Sequence, residues 1–204
     1  MDDTEEKRLK LELRLAQLDR VDACQGDFLA FVRSMWPEFI TGKHHEIIAE
    51  KLERVASGEL KRLIVNMPPR HTKSEFASFL FPAWMIGKNP AMKIIQATHT
   101  TELAVGFGRK IKNLLEREDY QTIFSDSQLS ADSKASGRWD TARGGMYYAV
   151  GVGSNLAGRG GDLIVIDDPH SEQTAMSNHG FDDAWDWYTG GPRQRLQPGG
   201  AIVL

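Results

Sequence analysis

Residues 67–74, with the sequence MPPRHTKS, lie between a short apolar run at residues 63–65 and a segment typical of a helix, from about 73 to 86. An apolar run that ends at two prolines predicts a buried strand entering a loop. A loop between a strand and a helix N-terminus can bind phosphate, because backbone N–H groups converge there. Lys73 would then reach the outer phosphate oxygens, and the hydroxyl of Ser74 would bind Mg²⁺.

The loop departs from the general G-x-x-x-x-G-K-[ST] phosphate-binding pattern. Met67 and Thr72 stand where that pattern has its two glycines. The Cβ of Thr72 lies where the backbone would close on the phosphates, so we expect it to weaken binding. Taken alone, residues 67–74 are also compatible with a surface loop after an edge strand.

Residues 163–168, LIVIDD, form the second half of the pattern. They predict a buried strand whose terminal carboxylates emerge at the same sheet edge as the loop. Asp167 can hold the hydration shell of Mg²⁺, and Asp168 can orient or deprotonate an attacking water. Two aspartates before a proline can also simply end a strand. Together with the loop about ninety residues earlier, they have the order and spacing that nucleotide hydrolysis requires.

The rest of the chain alternates between strand and helix patterns. This alternation favours an α/β fold with a mainly parallel sheet flanked by helices. A charged helix is predicted for residues 1–25, as an appendage to a domain spanning 26–204. Helices are predicted near 28–36, 44–55, 101–117 and 181–188, strands at 92–97 and 201–204, and an inserted hairpin at 138–152.

Composition excludes several classes of protein. Lys and Arg total 25 against 28 for Asp and Glu, giving a net charge of -3, so the chain is not a general polyanion-binding module. Its single cysteine, Cys24, cannot form an internal disulfide. No stretch approaches about 18 uninterrupted apolar residues, so no membrane span is predicted.

Three segments together carry a family resemblance: residues 67–75, residues 158–170 (GRGGDLIVIDDPH), and residues 185–188 followed by 195–203 (RLQPGGAIV). From about residue 28 to its end, the chain resembles the ATPase domain of the large terminase subunit of tailed bacteriophages. The resemblance implies a P-loop NTPase of the additional-strand class that hydrolyses ATP with Mg²⁺ to move double-stranded DNA into a procapsid. It also implies a homo-oligomeric ring, a portal and a small terminase subunit as partners, and location in the host cytoplasm but not in the mature virion.

The family continues beyond the strand at 201–204 into a coupling segment and a nuclease domain. We therefore expect this chain to be an isolated or truncated motor half without nuclease activity. The residues expected to bind the nucleotide are Pro68, Pro69, Arg70, His71, Thr72, Lys73 and Ser74. Mg²⁺ is expected at Ser74 and Asp167.

Arginines and a base complete the expected site. Charge that builds on a transferring phosphoryl group is usually neutralised by an arginine. Arg70, inside the loop, is the candidate for acting in its own subunit, and Arg159 could act on its own site or a neighbour's. Arg109 is a reserve for the arginine role, and Glu172 is a reserve for Asp168 as base.

The sequence is compatible with two alternative functions. The missing glycines are compatible with a degenerate loop that keeps its fold as a docking or assembly module without turnover. A helicase-like ATPase would share the loop and the aspartate strand. Outside the motifs, we predict a surface or packing role for His44 and His45, and mainly a core and cover role for Trp185, Trp187 and Tyr188.

Overall fold

The computed structural model describes residues 3–133, 135–177 and 179–204. The α-helices are α1 (Asp3–Gly26), α2 (Phe28–Met35), α3 (Lys43–Ala56), α4 (Phe81–Lys88), α5 (Thr101–Leu115), α6 (Glu118–Ile123), α7 (Glu172–Ala175), α8 (Gly180–Gly190) and α9 (Pro192–Arg195). A π-helical segment, Glu75–Leu80, runs directly into α4. The strands are β1 (Arg62–Leu63), β2 (Lys93–Thr98), β3 (Arg138–Asp140), β4 (Met146–Gly151), β5 (Gly161–Asp167) and β6 (Leu196–Val203).

The strands form one sheet in the order β1-β6-β5-β2-β4-β3. All neighbouring strands are parallel except β3 and β4, which form the antiparallel hairpin. The prediction of an α/β fold with a mainly parallel sheet flanked by helices is confirmed. β6 lies between β1 and β5, so the strand before the loop and the strand bearing the two aspartates are not direct neighbours.

Side chains of the central strands alternate between two apolar layers. Leu163 and Val165 pack into the larger core, which includes the helix after the loop, whereas Ile164 and Ile166 pack into a smaller core on the other face. Because strand residues alternate in direction, Asp167 points to the same face as Leu163 and Val165. This face is the one that the helix after the loop covers.

β1 is shorter and more exposed than predicted. The apolar run at 63–65 was expected to be a buried strand, but ladder pairing covers only Arg62–Leu63, and Ile64 is 65% exposed. The amide of Val65 still donates to the carbonyl of Leu204 at 2.7 Å. β1 lies at the edge of the sheet, where one side of a strand has no neighbour, which explains the weaker burial.

The N-terminal helix is confirmed and extends slightly further than its predicted end. Leu9, Leu11, Leu13, Leu15 and Leu18 are all exposed. The last turns of α1 contact the core, where Cys24 is buried and its carbonyl accepts a hydrogen bond from the Trp84 indole. Whether residues 1–25 form a separate unit stays a prediction.

No helix in the described part of the chain is long and apolar enough to cross a lipid bilayer. The compartment stays a prediction.

Candidate functional site

The loop at residues 67–74 leads directly into a helix. Helical backbone begins at Lys73, and the amide of Phe76 donates to the carbonyl of Thr72 at 3.0 Å. Phe76 is buried and anchors this first turn in the core. The loop therefore lies at a helix N-terminus, where unpaired N–H groups and the helix dipole favour an anion.

Two residues of the loop have a left-handed backbone. Arg70 has φ 64° and Thr72 has φ 63°. This conformation costs an ordinary residue roughly 1–2 kcal/mol, and it is an outlier for a β-branched one. Thr72, which replaces a glycine of the general pattern, thus adopts a conformation that glycine would adopt without strain. Surrounding contacts must hold it there.

Lys73 joins the loop to the end of β5. Its ammonium group donates a hydrogen bond to Asp168, and its Nζ lies 3.4 Å from Oδ1 of Asp167. The three residues predicted to form the centre of the site are therefore in contact, although 94 to 95 positions separate them in the sequence. The structure brings them together because β5 ends at the edge where the loop lies.

The charge of Lys73 is set by opposing effects. Burial alone lowers the pKa of the amine, but the hydrogen bond to Asp168 and the charges of Asp167 and Asp168 outweigh it, so the pKa of Lys73 is raised. Lys73 is thus a persistent cation at neutral pH. A persistent cation at a helix N-terminus can bind phosphate oxygens.

The two aspartates differ in environment. Asp167 is only 7% exposed, whereas the side chain of Asp168 is 61% exposed and its backbone has φ 44°. A buried carboxylate with a fixed orientation suits a metal ligand, and an exposed one can reach water. This difference is compatible with the separate roles predicted for the two residues.

The end of β2 borders the aspartates. Thr98 is paired with Asp167 in the sheet and is fully buried. The ring Nδ1 of His99 lies 3.3 Å from the carbonyl oxygen of Asp168. His99 thus contacts the backbone at the turn where the exposed aspartate lies.

The other loop residues are mostly exposed. Pro68, Pro69, Arg70 and His71 face solvent, and Nδ1 of His71 lies 2.9 Å from the carbonyl oxygen of Pro69. Ser74 is half-buried in the first helical turn, beside Lys73 in the sequence. Its hydroxyl makes no hydrogen bond with any described residue and could serve as a metal ligand.

The arginine candidates occupy different places. Arg70 is in the loop, exposed, and forms no ion pair with a described residue. The guanidinium of Arg159 lies over the Tyr148 ring, 3.6 Å from its centroid. Tyr148 is level with Ile164 in the sheet, three residues or about 10 Å along β5 from Asp167. The structure does not bring Arg159 to Lys73.

Of the two reserve residues, the structure describes the side chain of Arg109 alone. Arg109 is exposed on α5, about 12 Å along the helix from its N-terminus at 1.5 Å per residue. The next residue, Lys110, pairs instead with Glu75 at 2.7 Å. The side chain of Glu172 lies outside the described part of the structure.

His45 contacts the loop, which the sequence analysis missed. Its Nε2 lies 2.7 Å from the hydroxyl of Thr72, and its Nδ1 accepts a hydrogen bond from the amide of Gly42 at 2.8 Å. The ring is buried, in agreement with a packing role. A buried histidine near a strained loop could be foreseen from neither local periodicity nor spacing, since 27 residues separate His45 from Thr72.

The aromatic residues of α8 only partly cover the sheet. Trp187 donates to the carbonyl of Ser154 at 3.0 Å, whereas Trp185 is 61% exposed. Beside them lies an apolar groove of about 750 Å³, which also borders Pro169 and His170. The groove begins where the Asp168 turn ends but contains none of the charged groups that surround Lys73.

Among the described residues, no cluster of three or more histidine, cysteine, aspartate or glutamate side chains could hold a metal alone. Mg²⁺ commonly uses only one or two protein oxygens together with phosphates and waters. The hydroxyl of Ser74 and the carboxylate of Asp167 are oxygen donors of that kind.

Comparison of the chain with models of known protein families and with curated proteins gives no match.

Proposed function

We propose that this chain binds ATP with Mg²⁺ and hydrolyses it at residues 67–74 and the end of β5. The observation that carries the proposal is the contact of Lys73, at a helix N-terminus, with Asp167 and Asp168. A nucleotide site requires a lysine for the β and γ phosphates next to a carboxylate for the metal. Here both groups lie at the carboxyl edge of a parallel sheet, where ligands of such folds collect.

The strand order also supports a P-loop NTPase of the additional-strand class. In that class a further strand separates the phosphate-loop strand from the strand with the acidic residues. β6 occupies that position between β1 and β5. The strand order is a property of the whole sheet and is independent of the loop sequence. It therefore supports the proposal independently of the contact of Lys73 with the two aspartates.

In the proposed reaction, water attacks the γ phosphate in line with the leaving group. Lys73 binds the β and γ phosphates, and Asp168 orients the attacking water. Ser74 and Asp167 would hold Mg²⁺, which when bound neutralises charge on the phosphate oxygens. Arg70 is the candidate for neutralising the charge of the transition state in its own subunit. Arg159 is the candidate for doing so at the site of a neighbouring subunit.

We further propose that the chain is the motor domain of a terminase large subunit that packages viral DNA. Double-stranded DNA, a portal, a small terminase subunit and a ring of like subunits are the partners in this proposal. The support is the combination of sequence motifs around residues 67–75, 158–170 and 195–203. The net charge of the chain is -3, so in this proposal DNA contacts a local part of the surface or a surface formed by several subunits.

Two observations favour a second candidate, a docking or assembly module without turnover. Thr72 is strained in the loop, and Lys73 is already paired with two carboxylates. A phosphate must displace at least the exposed Asp168 to reach the ammonium group. If phosphate cannot displace Asp168 from Lys73, the chain folds but does not bind nucleotide.

Release of phosphate from ATP separates these two candidates. The wild type should release phosphate only with Mg²⁺, and Lys73→Ala should not. Lys10→Ala is the control, because that side chain is 71% exposed on α1 and, among the described residues, forms an ion pair with Glu6 alone. No release by the wild type, or equal release by Lys73→Ala, would exclude the proposed ATPase.

A further inference from the structure

We propose that His45 is a positioning residue that keeps the loop at residues 67–74 in its phosphate-binding shape by holding Thr72 at positive φ. The effect of His45 on the shape of the loop concerns the protein without nucleotide. Its consequence for ligand binding rests on the proposed function. His45 is not assigned any contact with the nucleotide.

The hydrogen bonds around His45 fix its tautomer. Its Nδ1 accepts from the amide of Gly42, so the ring proton of the neutral imidazole is on Nε2. Nε2 therefore donates to the hydroxyl of Thr72 at 2.7 Å. That hydroxyl in turn donates to the carbonyl of His71 at 2.6 Å. Each donated proton in this hydrogen-bond network has one acceptor, and the last acceptor is the carbonyl of His71 in the loop.

The imidazole is held firmly enough to act as a clamp. It packs against Phe39, at a ring-centroid distance of 4.7 Å, against Phe76, at 5.1 Å, and against the neighbouring His44, at 3.8 Å. Phe76 belongs to the π-helical segment that follows the loop, and Gly42 is the N-cap of α3. Burial, with a smaller contribution from His44 and His71, lowers the pKa of His45, which maintains the neutral form that these bonds require.

Thr72 is the part of the loop that needs holding. Its φ of 63° disfavours a β-branched side chain, which relaxes to negative φ when nothing opposes it. Two hydrogen bonds through its hydroxyl oppose this relaxation. Glycine adopts the same φ without strain, so a glycine at position 72 would need no clamp.

A double-mutant cycle tests this coupling. Asn places its Oδ1 as many bonds from Cα as the Nδ1 of histidine, so His45→Asn can still accept from Gly42 but cannot reach Thr72. Without nucleotide, amide hydrogen exchange of Phe76, whose N–H donates to the carbonyl of Thr72, should become about fivefold or more faster in His45→Asn, as expected for loss of one partly buried hydrogen bond. In the Thr72→Gly background the same change should have little further effect.

Glu50→Gln is the control on the same helix, since that side chain is 58% exposed and pairs with Lys51. It should leave exchange of the Phe76 amide unchanged. Exchange of the α3 amides should be the same in wild type and His45→Asn, because the bond to Gly42 is retained. If His45→Asn does not fold, Thr72→Val removes the hydroxyl at this half-buried position, keeps the β-branch and should accelerate exchange of the same Phe76 amide.

Binding of a nonhydrolysable ATP analogue with Mg²⁺ supplies the second readout. His45→Asn should weaken it about fivefold or more, and the double variant should recover it. If the wild type does not bind the analogue, the proposed function fails, while exchange of the Phe76 amide still decides the role of His45. Exchange equal to wild type in His45→Asn, or an equal effect of His45→Asn in both backgrounds, would overturn the positioning role.

Discussion

Lys73 and Asp168 form an ion pair across the site, between the start of the helix after the loop and the turn after β5. The pair fixes the ammonium group next to the more buried Asp167. It also places Asp168 in competition with any anion that binds Lys73. Binding of a phosphate chain must therefore loosen this pair, and the exposed Asp168 can turn to solvent at low cost.

Changing each aspartate to asparagine should separate binding from turnover. Asp168→Asn frees Lys73 from its partner, so ATP affinity should be maintained or improved. Turnover should fall by roughly 10² to 10⁴, as for loss of a general base. Asp167→Asn should instead reduce the Mg²⁺ dependence of binding. Titrations with and without Mg²⁺, combined with phosphate release, measure both effects.

Asp126→Asn is the control, since that exposed carboxylate pairs with Arg143 away from the site. It should change neither quantity. Equal effects of the two site substitutions on binding and on turnover would remove the division of roles.

Thr72→Gly should leave the free energy of unfolding within about 1 kcal/mol of wild type. Glycine relieves strain of roughly 1–2 kcal/mol at positive φ, while the hydrogen bonds of the hydroxyl, worth about 1 kcal/mol each, are lost. Nucleotide affinity should be equal or better, because no Cβ remains near the phosphates. Chemical denaturation and equilibrium titration test the two statements. Weaker binding would show that the threonine side chain itself contributes to the ligand site.

Most of the fold could be predicted because its elements depend on local apolar patterns. β5 and the helix α5 were predicted from such runs. β1 was the weakest prediction, since an apolar run does not reveal that its strand lies at a sheet edge. The start of β6 at Leu196 was missed for a similar reason, because LQPGG contains turn-forming residues and its strand pairing comes from β5.

The approach of the loop to the end of β5 could also be predicted, because parallel strands end at one edge of their sheet. The contact of Lys73 with Asp167 and Asp168 follows from that rule. The clamp from His45 could not be predicted, since it depends on how α3 packs against the loop. The place of Arg159 could not be predicted either, because the glycine-rich segment around it has no periodicity.

Acid should weaken the folded state through His45. Burial, with a smaller contribution from His44 in α3 and His71 in the loop, lowers the pKa of His45, while the neighbouring rings of Phe39 and Phe76 carry no charge. Between this lowered pKa and the ordinary value of about 6.5, the unfolded chain binds a proton that the folded chain does not. The stabilising contribution is therefore fully present above about pH 6.5 and is lost as the pH falls.

Denaturant unfolding of wild type and His45→Asn at several pH values checks this. The difference in their free energies of unfolding should be constant above about pH 7 and shrink in acid. A difference that grows on acidification would contradict the sign of the shift.

Turnover per subunit should rise with protein concentration if Arg159 acts on a neighbour's site. Its distance from Lys73 within one chain and its contact with Tyr148 are compatible with that arrangement. Mixing inactive Lys73→Ala with inactive Arg159→Ala should then restore part of the activity. Turnover that is independent of concentration, with no recovery on mixing, would assign the arginine role to Arg70.

Calorimetric titration with a nonhydrolysable ATP analogue tests the central claim most directly. We predict saturable binding of one nucleotide per chain that requires Mg²⁺. Lys73→Ala should weaken it at least about tenfold, because the lysine supplies charge-assisted hydrogen bonds to the phosphates. Absence of binding by the folded wild type, or equal affinity in the Lys73→Ala variant, would contradict the assignment of residues 67–74 as a phosphate-binding loop.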